Sequence, residues 1–178
     1  MIREISVHPV PQNKNAERAF LIAILLSAVG FVAYFSMDKY KGIVGTVALM
    51  ILTTAILFYT KYISPEFYYD ISVDSDGVPM FLVRQVIGKR QTTLCRVELA
   101  DITSIVEQTA KERKAHKAGA DFKSYVYTPT LMPKSTYLIT VNSRYEKAEL
   151  RIEATEDFAS LLREYSGEAR LMREADTE

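Results

Sequence analysis

Hydrophobic and polar positions follow two regimes along this chain. Residues 19–37 and 42–60 are apolar and carry no charge. From residue 64 onward, apolar and polar residues alternate in short runs that end at turn residues. At ~1.5 Å rise per residue, each uncharged run builds a helix of roughly 28 Å, close to the ~30 Å hydrocarbon core of a bilayer. A soluble core helix carries a polar stripe, and neither run has one. Ser27, Ser36, Thr46, Thr53 and Thr54 are the main polar interruptions, and their hydroxyls can bond back to the preceding turn. Aromatic residues gather at the ends: Tyr34, Phe35 and Tyr40 near the break, Phe58, Tyr59 and Tyr62 at the exit, where an aromatic belt belongs. Only Asp38, Lys39, Tyr40 and Lys41 separate the runs. The pattern predicts a transmembrane helical hairpin over residues 18–63, with helices at about 19–37 and 42–61. The length of the first run, and the second so soon after it, set the pair apart from a cleaved signal peptide.

A turn this short forces the helices onto each other. Small residues recur in the first at Ala19, Ala23, Ser27 and Gly30, and in the second at Gly45, Ala48 and Ala55. Such faces let helix backbones approach closely, within the hairpin or in a homo-oligomer. No charged residue lies within residues 19–37 or 42–60, which disfavours a channel or proton-coupled transporter.

Four domains of sequence follow from this: an arm (1–17), the hairpin (18–63), a soluble domain (64–167) and a tail (168–178). In the arm, Ile5 and Val7 alternate with Ser6 and His8 before Pro9, Pro11 and the run 12–15; a short strand and a flexible tail fit equally. Ser64-Pro65 ends the second helix. Period-2 alternation then sets Phe67, Tyr69, Ile71 and Val73 on one strand face and Tyr68, Asp70, Ser72 and Asp74 on the other. Further strands are expected over 78–87, 91–98, 102–109, 123–128, 136–142 and 148–153, separated by turns such as Asp74-Ser75-Asp76-Gly77 and Gly88-Lys89-Arg90. Residues 110–122 form a long loop or a short helix. At the end, Thr155 is an N-cap with Glu156 and Asp157 in the first turn. Phe158, Leu161, Leu162 and Tyr165 make one apolar stripe, Arg163 lies on the polar face, and Gly167 suits the C′ position.

Charge adds an asymmetry to this plan. Residues 1–63 hold six Lys/Arg against three Asp/Glu, and residues 64–178 hold sixteen against nineteen. The acidic balance of the soluble part argues against nucleic acid as a partner. Arg3, Lys14, Arg18 and Lys61 lie near the helix ends on the side of the termini, against Lys39 and Lys41 in the turn. That bias places both termini in the cytoplasm, in a two-helix protein of the cell membrane. Cys95 is the only cysteine, so no intrachain disulfide forms, which agrees with a reducing compartment.

Candidate chemistry is sparse. His8 and His116 are the only histidines and have no metal-ligand partner near them in sequence. Cys95 alternates onto an apolar strand face and reads as a buried inert thiol. Aligned as a calcium loop, Asp74-Ser75-Asp76-Gly77 puts Val83 where the template needs Glu, and a hairpin turn explains the segment. The one stretch with a partner flavour is 111–123, five Lys/Arg against two acidic residues. Lys111, Arg113, Lys114 and Lys117 there suit an anionic lipid or acidic protein surface, at about 1 kcal/mol per basic residue near an anionic leaflet. A solvated loop is the plainer reading.

Seven strands and a C-terminal amphipathic helix resemble the pleckstrin-homology-like domains of bacterial membrane proteins. The resemblance covers roughly residues 66–166. It rests on Tyr69-Asp70-Ile71-Ser72-Val73, on Asp76-Gly77, on the stretch 95–105, and on Glu156-Asp157-Phe158 with Leu161 and Leu162; no signature motif is involved. It implies an α+β domain, a seven-stranded curved antiparallel sheet or barrel capped by its helix. The wider family's lipid binders carry cations around the first hairpin, where this chain has Asp74 and Asp76. The resemblance therefore implies scaffold work more than headgroup recognition. The expectation is a non-enzymatic, cofactor-free interaction module, anchored in the bilayer, with a membrane or cytoplasmic protein as partner. The alternative is an accessory or regulatory subunit of a membrane transport or export complex, with the hairpin as the binding element.

Overall fold

A computed structural model describes residues 3–9, 13–37, 39–119, 121–144 and 146–175. Pro11 and Gln12 of the arm, Asp38 of the turn and the last three tail residues lie outside these. The chain divides into two compact units, residues 12–65 and residues 1–11 with 66–178.

The first unit is a helical hairpin. Helix α1 spans Lys14–Ser36 and α2 spans Lys41–Phe58, continued by one π-type turn, Tyr59–Ile63. The wide turn is closed by Ser64 N–H donating to Tyr59 O at 2.9 Å, five residues back, and the helix stops short of Pro65. Both helices are long and apolar enough to cross a membrane, and only 6% and 11% of their most apolar windows are buried. Leu25, Val32, Ile43 and Leu57 all point outward. The hydroxyls of Ser36, Thr46, Thr53 and Thr54 donate to the carbonyl four residues back, at 2.8–3.2 Å.

The seam between the helices repeats every seven residues. Asn13 Nδ2 donates to Tyr62 O at 3.3 Å, and the Phe20 ring meets Tyr59 at 5.1 Å. Ser27 Oγ donates to Ala48 O at 3.0 Å, and the Tyr34 ring lies against Gly45. Seven residues per two turns is the spacing of a left-handed pair of helices. Gly30 faces Ala48 so closely that an added Cβ would lie 2.8 Å from the Ala48 Cβ.

The second unit is α+β and, among the described residues, has eight strands in two four-stranded sheets. Sheet A has the order β1-β2-β3-β4: Ile5–Val7, Glu66–Val73, Pro79–Ile87 and Arg90–Glu98. Sheet B has the order β5-β7-β8-β6, where β5 is Ile102–Thr109, β6 Lys123–Tyr127, β7 Ser135–Asn142 and β8 Lys147–Ile152. The extra strand over the expected seven is β1, paired antiparallel to β2 with Ile5 opposite Ile71. The strands do not form one continuous meander. A 3-10 turn at Leu99–Asp101 buries Leu99 completely and directs the chain out of sheet A into sheet B. Nor is the pairing wholly antiparallel, because β6 runs parallel to β8. A two-residue turn would have set β6 beside β7. The connection 128–134 instead carries Pro129 and Pro133 and is fastened by Thr130 Oγ1 to Glu153 Oε1 at 2.9 Å, so the chain can step past β8.

The core lies between the sheets. Tyr69, Ile71, Phe81 and Val83 of sheet A meet Ile139, Leu150 and Ile152 of sheet B, all fully buried or nearly so. Tyr69 joins the two layers: its hydroxyl donates to Tyr127 O at 2.5 Å and accepts from Glu153 N at 3.2 Å. On the other face of β2, Asp70 is buried beneath Arg84, which grips both carboxylate oxygens through Nε and Nη2, the latter at 2.7 Å.

Two short helices of sequence became structure of different lengths. Residues 110–115 form α3, Ala110–Ala115, with a capping box between Thr109 and Glu112. The Thr109 backbone N–H bond, then its hydroxyl, hold the Glu112 carboxyl below the usual range. Helix α4 spans Glu156–Ala175. Thr155 Oγ1 accepts from Phe158 N at 3.3 Å, as an N-cap does. Gly167 does not end the helix as its position past the apolar stripe suggested. Ala169 is buried two residues on, and Arg173 pairs with Asp101 at 2.8 Å and Glu98 at 2.6 Å. These contacts hold the last two turns in place. Arg163 lies partly exposed on the polar face and is also tied down: it donates to Ile105 O at 3.2 Å and to Glu156 at 3.0 Å, over the Tyr137 ring.

Candidate functional site

Between the free margins of the sheets, the second unit opens a cleft of about 690 Å³. Its walls are β4 of sheet A and β6 of sheet B, and its floor includes Ala148 and Leu150 of β8. Alternation places Cys95 and Val97 of β4 and Tyr125 and Tyr127 of β6 toward it, and Leu94 also lines it. The β3–β4 register slips between Val83 and Arg84, which face Cys95 and Thr93. Leu94 is therefore the extra residue of a bulge, a device that turns a side chain out of the ladder's regular sequence. The two tyrosines stack with nearly parallel rings, 6.1 Å apart.

Polar groups line the rest of this space, most of them in ion pairs. The Glu146 carboxylate accepts from Tyr125 at 2.9 Å and Lys123 at 3.1 Å, which holds it below the usual carboxylate range. The same bond, with some desolvation, raises the Tyr125 phenol, and burial pushes Tyr127 up to about 12. Arg96 pairs with Asp74, and Glu98 and Asp101 pair with Arg173. Cys95 is half-buried in this wall. Burial first, then the Glu146 charge, push its thiol up to about 11. Burial thus favours the thiol over the thiolate form.

The basic residues of 111–117 do not act as one group. Lys111, Lys114 and Lys117 are exposed, whereas Arg113 is half-buried with its Nη1 enclosed. His116 anchors the end of α3 by a 2.8 Å contact to Glu149, which is buried on β8. His8 stacks on Tyr68 at 4.6 Å and meets Phe67 O at 3.0 Å. In the hairpin, Ser27, Gly30, Gly45 and Ala48 come together and Ala23 is half-buried. Ala19 is exposed and borders an apolar groove with Ala23, Met50 and Thr54. A spacing of four and four from Ala19 drifts off a seam whose repeat is 3.5. The Asp74–Gly77 segment is a tight turn. Asp74 N–H donates to Val78 O, Gly77 N–H returns to Asp74 O, both at 2.9 Å, and Gly77 has φ +80°. Among the described residues, no three His, Cys, Asp or Glu side chains gather in a metal-binding group.

Tyr125, Tyr127, Arg144 and Glu146 were not distinguishable from the sequence as site residues. The one signal was a pair of tyrosines two apart on a short strand, and it does not say that the strand is a sheet margin.

Fold and site together define a class: an α+β domain with a cleft of mixed polarity, joined in sequence to a helical hairpin of membrane-spanning length and apolarity. Compared with models of protein families and with curated proteins, the chain matches none.

Proposed function

We propose that this chain is a non-enzymatic, membrane-anchored interaction module of the pleckstrin-homology-like kind, with its α+β domain in the cytoplasm. The observation that carries the reading is the outward apolar surface of both helices, which water does not tolerate on this scale. The domain half of the reading is supported by two sheets packed on a common core, with α4 set against Tyr69 and Phe81 through Phe158, ring centres 6.3 and 6.5 Å apart. Asp74 and Asp76 at the first turn support protein rather than inositol-phosphate recognition. Lys111, Lys114 and Lys117 add a weak, salt-screened attraction to an anionic leaflet.

A second reading has its own observation. The apolar groove of about 340 Å³ on the hairpin, bordered by Ala19, Phe20, Met50 and Phe58, suits a further membrane helix, as an accessory subunit of a transport or export complex needs. Co-purification in mild detergent separates the two. The full chain is compared with one whose residues 18–63 are replaced by an unrelated hairpin of equal length. A partner retained by both supports the module; a partner lost with the native helices supports the accessory subunit; no partner for either refutes both. Orientation is read by labelling Lys41→Cys in a Cys95→Ser background. An impermeant maleimide reaches it from outside intact cells if the domain is cytoplasmic, and Ser143→Cys stays unlabelled.

A further inference from the structure

The cleft has two unpaired borders. Among the described residues, β4 has a strand neighbour on one side only, β3, and β6 on one side only, β8. Each therefore offers a row of main-chain N–H and C=O groups with no strand beside it. Both rows border the same cavity. A headgroup or small metabolite satisfies such rows at one or two points. An extended polypeptide satisfies them along their length, and its alternate side chains then face the sheet surface. The bulge at Leu94 interrupts β4, but residues 95–98 keep regular register with β3.

Charge narrows the occupant. The rim pairs of Arg96 with Asp74, Arg173 with Glu98 and Asp101, and Lys123 with Glu146 leave Arg144. Arg144 is exposed and has no ion pair among the described residues. The rim as a whole is balanced in charge, because Arg173 serves two carboxylates, but Arg144 is its one guanidinium outside an ion pair among the described residues, beside the two stacked tyrosines. A guanidinium binds a carboxylate through two parallel hydrogen bonds.

We infer that the cleft takes an extended segment of a partner protein as an added strand on β4, its apolar side chains on Tyr125 and Tyr127 and a carboxylate on Arg144. The inference rests on the interaction-module reading and names that module's recognition surface. A second copy of this chain pairing β4 to β4 would leave the β6 border and Arg144 unmatched.

The test uses the full chain in detergent micelles and three synthetic peptides. The first alternates Val with Glu and Thr. The second has Lys in place of Glu. The third repeats the first with alternate backbone amides N-methylated, which removes donors and keeps the side chains. Binding is followed by fluorescence anisotropy, and the site by backbone amide exchange. At millimolar peptide, the Glu peptide is expected to slow exchange within 90–98 and 123–127. N-methylation should weaken binding about tenfold or more, since several main-chain bonds are lost. Arg144→Glu should reverse the preference between the Glu and Lys peptides. Equal binding of the methylated peptide, protection mapped to β1 or β5, or no binding at millimolar concentration would overturn the inference. So would protection of 90–98 that rises with protein concentration alone, which identifies a second copy. If the peptides fail while both chains in the hairpin exchange retain a partner, strand addition is wrong and the module reading stands. If the Glu peptide binds as expected and neither chain retains a partner, the reverse holds.

Discussion

Gly167→Ala should stabilise the protein, and the sign of that effect is informative. Gly167 lies inside α4, twelve positions beyond the Thr155 cap, with helical neighbours on both sides. A Cβ built there meets nothing within 4 Å, and the residue's φ is not positive. The substitution therefore adds no clash. It removes backbone freedom from the unfolded chain and replaces the poorer helix former with the best one, a gain of about 0.5–1 kcal/mol. Were Gly167 instead a left-handed C′ residue, alanine would cost roughly 1 kcal/mol or more. Gly88→Ala supplies that contrast, because Gly88 has φ +61° and also has an open surround. The assay is urea unfolding of the full chain in detergent, followed by the near-ultraviolet tyrosine signal, since the chain has no tryptophan. With a slope of about 1–3 kcal/mol per molar urea, Gly167→Ala should raise the midpoint by a few tenths molar. Gly88→Ala should lower it. A lowered midpoint for Gly167→Ala, with unchanged slope, would refute the continuous helix.

Four further outcomes follow from the same geometry. Leu162→Ala, at a fully buried position, should cost about 3–5 kcal/mol through lost burial and a residual cavity, while exposed Glu164→Ala stays within about 0.5 kcal/mol; equal midpoints would remove α4 from the core. Arg84→Met should cost roughly 3 kcal/mol in the same titration, because it leaves the Asp70 carboxylate buried and uncompensated. Gly30→Leu should separate the helices, since even a Cβ comes within 2.8 Å of Ala48, and should speed amide exchange in both spans; Gly42→Ala, with nothing within 4 Å, should not. Glu156 is held below its ordinary value of 4.5 by the Tyr137 hydroxyl and then by Arg163. A lowered folded pKa stabilises above the unfolded value and is lost as pH falls through the folded one, so unfolding against pH should steepen below about 4.5 in the native chain and flatten in Glu156→Gln.

Much of the local structure was legible because it depends on near neighbours. Strand β2 was expected from residue 67 and begins at Glu66; β5 was expected over 102–109 and spans Ile102–Thr109. The Thr155 cap and the apolar stripe through Phe158 and Leu162 needed only helical spacing. Both apolar helices were evident from run length and missing charge. Gly167 was misread, and the ties of Arg163 were not legible, for a shared reason. Their roles depend on Tyr137, Ile105, Glu98 and Asp101, residues brought near only by packing. Ala19 shows the same limit in the hairpin, where the seam's 3.5-residue repeat is set by the partner helix and not by α1 alone.

By itself, the sequence determined what each segment is: two apolar spans, alternating strands, glycine turns and a capped amphipathic helix. Those properties follow from side-chain size, charge and spacing within a few residues of one another. Only tertiary structure decided which strands are neighbours. β1 joined sheet A because Ile5 and Val7 bury against Ile71 and Tyr69, and β6 lay parallel to β8 because its connection is long and pinned at Glu153. From that pairing alone come the two unpaired strand margins and the cleft they enclose. Backbone hydrogen bonding is the same for every residue type except proline, so no alternation pattern records which edge of a sheet will be left open.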